Sequence, residues 1–312
     1  DYTVSDDPMD TSVTKGFLKA VNVDALYDGC KAMIVNSSKT KTISSSQSGT
    51  EFYRNATDVL VCGDALLSED FKSAMAVFRV NRNAEGQYSF YGDNVTGGYI
   101  QASSSEKDYM ITSPQPAFAA VEIDGGGVAD IRFDGGFTHN KLRFYPARNI
   151  FSCFEDGQED VMIFVFPEPE AIHPEIDGAT ITGEYNLASG ATVVLRFPVT
   201  EDYNVHQRFI PSEDGENAET VDFAKYRNSD IELSRPGILE YYTEDKGMLA
   251  KGLTINSRIH TLAVNSGSSG ITAIDCPEAE AVYYNLQGIK VKAPANGIFI
   301  RVSGGKASKV VL

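Results

Sequence analysis

The sequence predicts an all-β fold, on three observations. Short apolar or alternating runs recur from end to end, turn-forming residues bound nearly every one of them, and no segment sustains a helical period. Alternation suits a strand with one wet face, because successive side chains point to opposite sides of a sheet. In the first half the runs are 31–35, 58–62, 75–80, 87–91, 98–102, 118–123, 129–133, 141–144 and 161–166. Explicit turn chemistry separates them: Asn83-Ala84-Glu85-Gly86, Asp124-Gly125-Gly126-Gly127, Asp134-Gly135-Gly136 and Asp156-Gly157. Only 23–27 and 68–73 read as helical, each for a turn or two.

The prolines of Pro167-Glu168-Pro169-Glu170, with Pro174 behind them, cannot continue a central strand and mark a stiff linker. A second series of runs follows at 178–185, 192–198, 205–209, 230–233, 237–242 and 260–264. That number of strands in about 95 residues is near the count of an immunoglobulin-like sandwich. Ser266-Gly267-Ser268-Ser269-Gly270 is a flexible linker by composition. The expected organisation is a frayed start (1–14), a closed β-barrel (15–167), an immunoglobulin-like sandwich (168–265), and a linker with a short β-hairpin tail (266–312). Within the barrel segment a pattern around Phe78 returns at Phe118, 40 positions on, which suggests a β-trefoil as one form of the barrel.

Composition sets the partner classes. Of 312 residues 42% are hydrophobic and 22% charged, so the chain is an ordinary globular one. Its longest apolar run is 161–166, far below the roughly 20 residues of a spanning helix. With 27 basic against 43 acidic residues the net charge is −16, which disfavours nucleic acid and anionic lipid as partners. Cys30, Cys62, Cys153 and Cys276 lack metal-ligand spacing and read as buried thiols. The start carries no leader features, and a signal peptide is taken as already removed.

Motif by motif, no chemistry emerges. There is no phosphate-binding loop, no G-x-S-x-G elbow and no H-E-x-x-H. His139, His173, His206 and His260 are scattered, and neither a metal nor a cofactor is expected. Glu155-Asp156 with Glu159-Asp160 offers a carboxylate pair of the kind glycoside hydrolysis uses, but reads more simply as a solvated turn. Sugar binding needs apolar ring faces beside planar hydrogen-bonding groups. Tyr91, Asn94 and Tyr109 around the loop 93–98 supply that mixture, and His139, Asn140 and Arg143 form a second choice.

The most specific stretch is the tail: Tyr283-Tyr284-Asn285-Leu286-Gln287-Gly288, then Ile289-Lys290-Val291, Pro294, Gly297-Ile298-Phe299-Ile300-Arg301, Gly305-Lys306 and Lys309-Val310. It resembles the short form of the Por or type IX secretion C-terminal sorting domain of Bacteroidetes-type bacteria. The resemblance implies export to the cell surface or beyond and engagement of the secretion machinery through 283–312. It implies nothing about activity. From Ala281 onward the tail has five basic residues and no acid, leaving 22 basic against 43 acidic residues, or −21, in the rest. A basic hairpin on an acidic body is distinguishable from its cargo.

The first segment is similar to an accessory β-domain of exported proteins from the same bacterial group. The similarity runs through Phe17-Leu18-Lys19-Ala20-Val21, Asp28-Gly29-Cys30-Lys31, Asn140-Lys141-Leu142-Arg143-Phe144 and Phe151-Ser152-Cys153-Phe154. That domain usually carries Trp where Lys141 stands here. Together these readings give a non-catalytic exported protein that binds a glycan or another surface ligand. Two others stay open: a secreted hydrolase with an unrecognised acidic pair, and a structural spacer without a ligand.

Overall fold

The computed structural model describes residues 16–47, 52–95, 97–212 and 222–267, and the backbone of four short strands beyond them. It is all-β, with one short α-helix among the described residues. The chain divides into two compact units. The first takes Asp1–Ile172, Val199–His206 and Tyr242–Ile259, and the second His173–Pro198, Gln207–Tyr241 and His260–Leu312.

The first unit contains β1 (Gly16–Lys19), β2 (Lys31–Asn36), β3 (Lys41–Ile43), β4 (Arg54–Asp58), β5 (Ala65–Leu67), β6 (Phe78–Arg82) and β7 (Tyr88–Gly92). It continues with β8 (Tyr99–Ala102), β9 (Met110–Ser113), β10 (Ala119–Ile123), β11 (Val128–Phe133), β12 (Lys141–Tyr145), β13 (Ile150–Phe154) and β14 (Val161–Val165). Hydrogen bonding orders them β5-β1-β14-β11-β12-β13-β4-β3-β2-β6-β7-β8-β9; β10 pairs with β11 and β7, and β14 also pairs with β2.

The pairing of β14 with β2 explains why both strands read as unbroken apolar runs. Val161 sits opposite Asn36 and Val165 opposite Ala32, antiparallel. Side chains of one parity, Ala32, Ile34, Val161, Ile163 and Val165, enter one core with Phe78, Phe90, Phe133 and Phe151. The other parity, Met33, Val35, Met162, Phe164 and Phe166, enters a second core with Phe17, Leu66 and Phe71. Met248, Leu253 and Ile255, which arrive from a distant part of the sequence, complete that second core. Burying each such large side chain contributes roughly 1.5–3 kcal/mol, so a strand with both faces covered has little use for polar residues.

Two sequence expectations need correction. The run 58–62 is not a strand: β4 ends at Asp58, and Cys62 makes only an isolated bridge with Ala65. Leu60 is correspondingly exposed, and so is Cys62, although Cys30 and Cys153 are buried as expected. Conversely, β1, β3, β5, β9 and β13 were not among the expected strands, and neither was the helix α1 (Lys246–Leu249). Asp245 caps that helix by accepting from Met248 N at 2.8 Å.

The strands that follow are β15 (Glu175–Ile176), β16 (Ala179–Thr180), β17 (Gly183–Ala188), β18 (Val193–Leu195), β19 (Tyr203–Pro211), β20 (Ala224–Lys225), β21 (Ile231–Leu233), β22 (Gly237–Asp245) and β23 (His260–Gly267). All lie in the second unit except the first four residues of β19 and the last four of β22, which count with the first. The main sheet runs β17-β23-β22-β19-β20, with β17 parallel to β23. The tail strands β24 (Val282–Tyr284), β25 (Lys290–Val291), β26 (Ile298–Ser303) and β27 (Lys306–Val311) form a sheet ordered β25-β24-β26-β27. Of the sorting-type motif, 285–289, 292–297 and 304–305 lie outside the described residues, as do 1–14, Thr96 and Cys276.

Candidate functional site

The six ligand-contact candidates do not gather in one place. Tyr91, on β7, is half-buried; its ring meets Tyr99 edge-on at 5.0 Å, and the Arg79 guanidinium lies 5.0 Å from its centroid. Asn94 uses both ends of its amide on backbone. Its Oδ1 accepts from Val77 N at 2.9 Å and its Nδ2 donates to Met75 O at 2.8 Å, which pins the β7–β8 turn to the segment before β6. Val95 beside it is buried, so the turn expected to be open is largely tied down.

Arg143 is buried. Its guanidinium reaches Asp130 Oδ1 at 2.8 Å, Asp160 Oδ1 at 3.2 Å and the Leu142 carbonyl at 2.9 Å. Burial works against the charge on Asp130, yet hydrogen bonds from Arg143 and Arg132 outweigh it and hold the carboxyl below its ordinary value. Asn140 Nδ2 donates to the Phe133 carbonyl at 3.2 Å. Both residues brace the sheet.

Tyr109 and His139 do come together. Before β9, Ser104 Oγ accepts from Glu106 N and Lys107 N, each at 3.1 Å, and so closes the turn that presents Asp108 and Tyr109. Ser152, fully buried on β13, has its Oγ 2.5 Å from the Asp108 carbonyl and gives it its proton. Met110 N donates to the Phe52 carbonyl at 3.0 Å, which brings the Phe52 and Tyr109 rings into a stack with centroids 4.4 Å apart. Phe52 is 45% exposed, so the stack offers an open aromatic face.

Thr138 ties the His139 segment to the same turn through Ser105, Oγ1 donating to its carbonyl at 2.8 Å. His139 Nδ1 then meets Asp108 Oδ1 at 2.7 Å, while Nε2 stands 3.8 Å from Glu155 Oε2. Two adjoining hollows result, sharing Asp108 and Phe154. One, of about 540 Å³, is polar, with His139, Lys141, Glu155, Asp156 and Gln158. Its neighbour, of about 250 Å³, is aromatic, with Phe52, Tyr53, Tyr109, Tyr145 and Arg148. Gln158, which lines the polar hollow, and Asn149, between Arg148 and Ile150 of the aromatic one, hold left-handed backbone, with φ of 64° and 54°.

At the polar hollow the Gly157 amide and Lys141 hold the Asp156 carboxyl below its usual range. The other acidic pair is spent on structure. Burial disfavours the charge on Glu159, but Ser38, Asn36 and Ser37 all donate to it and lower its pKa, and Asp160 serves Arg143. Among the described residues no three His, Cys, Asp or Glu side chains converge as metal ligands would.

Sequence reasoning missed Phe52, Asp108, Tyr145, Arg148 and Phe154. They lie on separate strands and turns, and only the pairing of β12, β13 and β4 brings those strands side by side. No protein-family model matches the chain, and no curated protein is similar to it.

Proposed function

We propose that the protein binds a glycan at the paired hollows around Asp108 and Tyr109, without catalysing a reaction. The observation that carries this reading is the exposed Phe52–Tyr109 stack adjoining Asp108, His139, Lys141 and Arg148. An apolar platform bordered by polar groups matches a sugar ring, which has a hydrophobic face and a rim of hydroxyls. The Asp108–His139 bond fixes the imidazole before any ligand arrives, so little ordering cost falls on binding. We read the protein as exported, on the resemblance of residues 283–312 to a sorting tail. The first unit we read as barrel-like, supported by the pairing of β14 with β2 as well as β11, and the second as sandwich-like.

The test is retention of the full chain on a panel of immobilised neutral glycans. Tyr109→Ala should abolish retention on whichever glycan binds, with little change in melting temperature, because the ring is half-exposed. No retention on any member, or full retention by the variant, refutes the site. A hydrolase is the second reading, favoured by the nearness of His139 Nε2 to Glu155 in one hollow. Turnover of any member of a broad glycoside panel, lost in His139→Gln, would replace binding with catalysis.

A further inference from the structure

A third hollow, of about 580 Å³, lies elsewhere in the first unit. One wall is the start of β2 and β6 with Tyr27, Asp28 and Gly29; the other is the segment 254–258 with Glu168. Its distinguishing feature is a row of side chains in register across four strands. Lys31 on β2 sits directly opposite Arg79 on β6, Arg79 opposite Tyr91 on β7, and Tyr91 opposite Tyr99 on β8. Residues opposite one another in a sheet point to the same side, so two cations and two phenol rings share one face.

Like charges directly opposite one another destabilise a sheet. Lys31 is relieved by Asp93, with which it forms an ion pair. Arg79 has no carboxylate at ion-pair distance among the described residues; its guanidinium rests over the Tyr91 ring at 5.0 Å. Tyr91 is itself held by Tyr99, so the guanidinium is placed by packing rather than by a counter-ion. From the opposite wall comes Arg258, whose chain is fastened where Glu168 Oε1 accepts from Arg258 N at 2.8 Å, and whose Nε stands 3.7 Å from that same oxygen. At Gly29, φ is +81° and nothing stands within 4 Å of where a side chain would start, so the backbone there is open to the hollow. Asp28 and Glu168 line the hollow together with Lys31, Arg79 and Arg258; with Lys31 paired to Asp93 and Arg258 beside Glu168, Arg79 is the lining cation left without a carboxylate at ion-pair distance among the described residues.

We propose that this hollow binds the oxyanion of an acidic sugar, with Arg79 as its principal anchor. Guanidinium takes a carboxylate or a sulfate through two parallel N–H···O bonds, and those charge-assisted bonds are the strong ones. Tyr91 and Tyr99 extend the row beside it as surfaces for the attached ring. Screening over about 8 Å at physiological salt confines the acidic body's repulsion to charges near it, which favours short ligands over long polyanions.

The experiment is calorimetric titration of the full chain with trigalacturonate, a monosaccharide sulfate, inorganic sulfate and the neutral trisaccharide maltotriose. Trigalacturonate, the sugar sulfate or both should bind where maltotriose does not, and Arg79→Gln should weaken that binding about tenfold. Lys41→Gln, which removes a cation that pairs with Asp58 away from this row, should leave it unchanged. Arg258→Gln, at a largely exposed position, repeats the test from the other wall should Arg79→Gln perturb folding, and is expected to weaken binding by a smaller factor. Tyr109→Ala should have no effect, which separates this site from the glycan platform. Three results overturn the proposal: binding of inorganic sulfate alone, equal binding of maltotriose, or undiminished binding by both arginine variants.

Discussion

Arg143 was a candidate ligand contact from sequence, and its geometry predicts instead that replacing it costs folding stability. Consider Arg143→Met, which keeps the aliphatic stem packed and removes the charge. The side chain is only 10% exposed and bonds Asp130 at 2.8 Å and Asp160 at 3.2 Å. Removing one member of a buried pair costs about 3–5 kcal/mol, because the remaining charge stays desolvated. Two features reduce that figure. Arg132 remains beside Asp130, and the Asp160 side chain is 52% exposed, so water screens its share. The expected loss is therefore about 2–3 kcal/mol at pH 7, read from urea unfolding of the full chain followed by tyrosine near-ultraviolet circular dichroism.

The pH dependence has a definite sign. The Asp130 carboxyl is held below its ordinary value, so its contribution is present above the unfolded pKa of about 3.9 and lost as pH falls through the folded value. The gap between wild type and Arg143→Met should then narrow on acidification below about pH 4. Asp130→Asn combined with Arg143→Met should cost less than the two single losses together, since both remove the same pair. A variant within about 0.5 kcal/mol of wild type would refute the structural role. Loss of ligand binding with stability intact would return Arg143 to the ligand.

Phe164→Ala should cost about 3–5 kcal/mol in the same unfolding assay, because the ring is fully buried in the core that holds Phe17 and Phe166. Gly98→Ala should lose about 1–3 kcal/mol: its φ is +98° and an added Cβ would stand 2.6 Å from the Ser113 carbonyl oxygen, which is backbone and has little room to yield. In a Cys276→Ser background, a thiol reagent at pH 8 should modify Cys62 at once and spare the others until denaturant is added. Burial, chiefly, pushes the Cys30 thiol up to about 12 and raises that of Cys153 as well, while Cys62 is exposed.

The sequence by itself determined the strand content and most strand positions. Runs such as 87–91, 129–133 and 141–144 became β7, β11 and β12 nearly residue for residue, because alternation and Asn, Asp or Gly turns are local signals. It also marked Tyr109 and His139, since ring faces and planar polar groups are visible as residue types. What it did not reveal is which neighbour each residue has. Asn94 and Arg143 carry the same polar groups whether they face a ligand or a backbone, and only the packed sheet shows the Met75–Val77 segment and Asp130 receiving them. The parity that sends Ile34 to one core and Val35 to another was equally hidden, as a run apolar on both sides carries no alternation to read. Met248, Leu253 and Ile255 cover the second of those cores from more than eighty residues beyond β14. Hydrophobic burial has no direction and no sequence address, so which distant segment covers that face was decided by the tertiary structure alone.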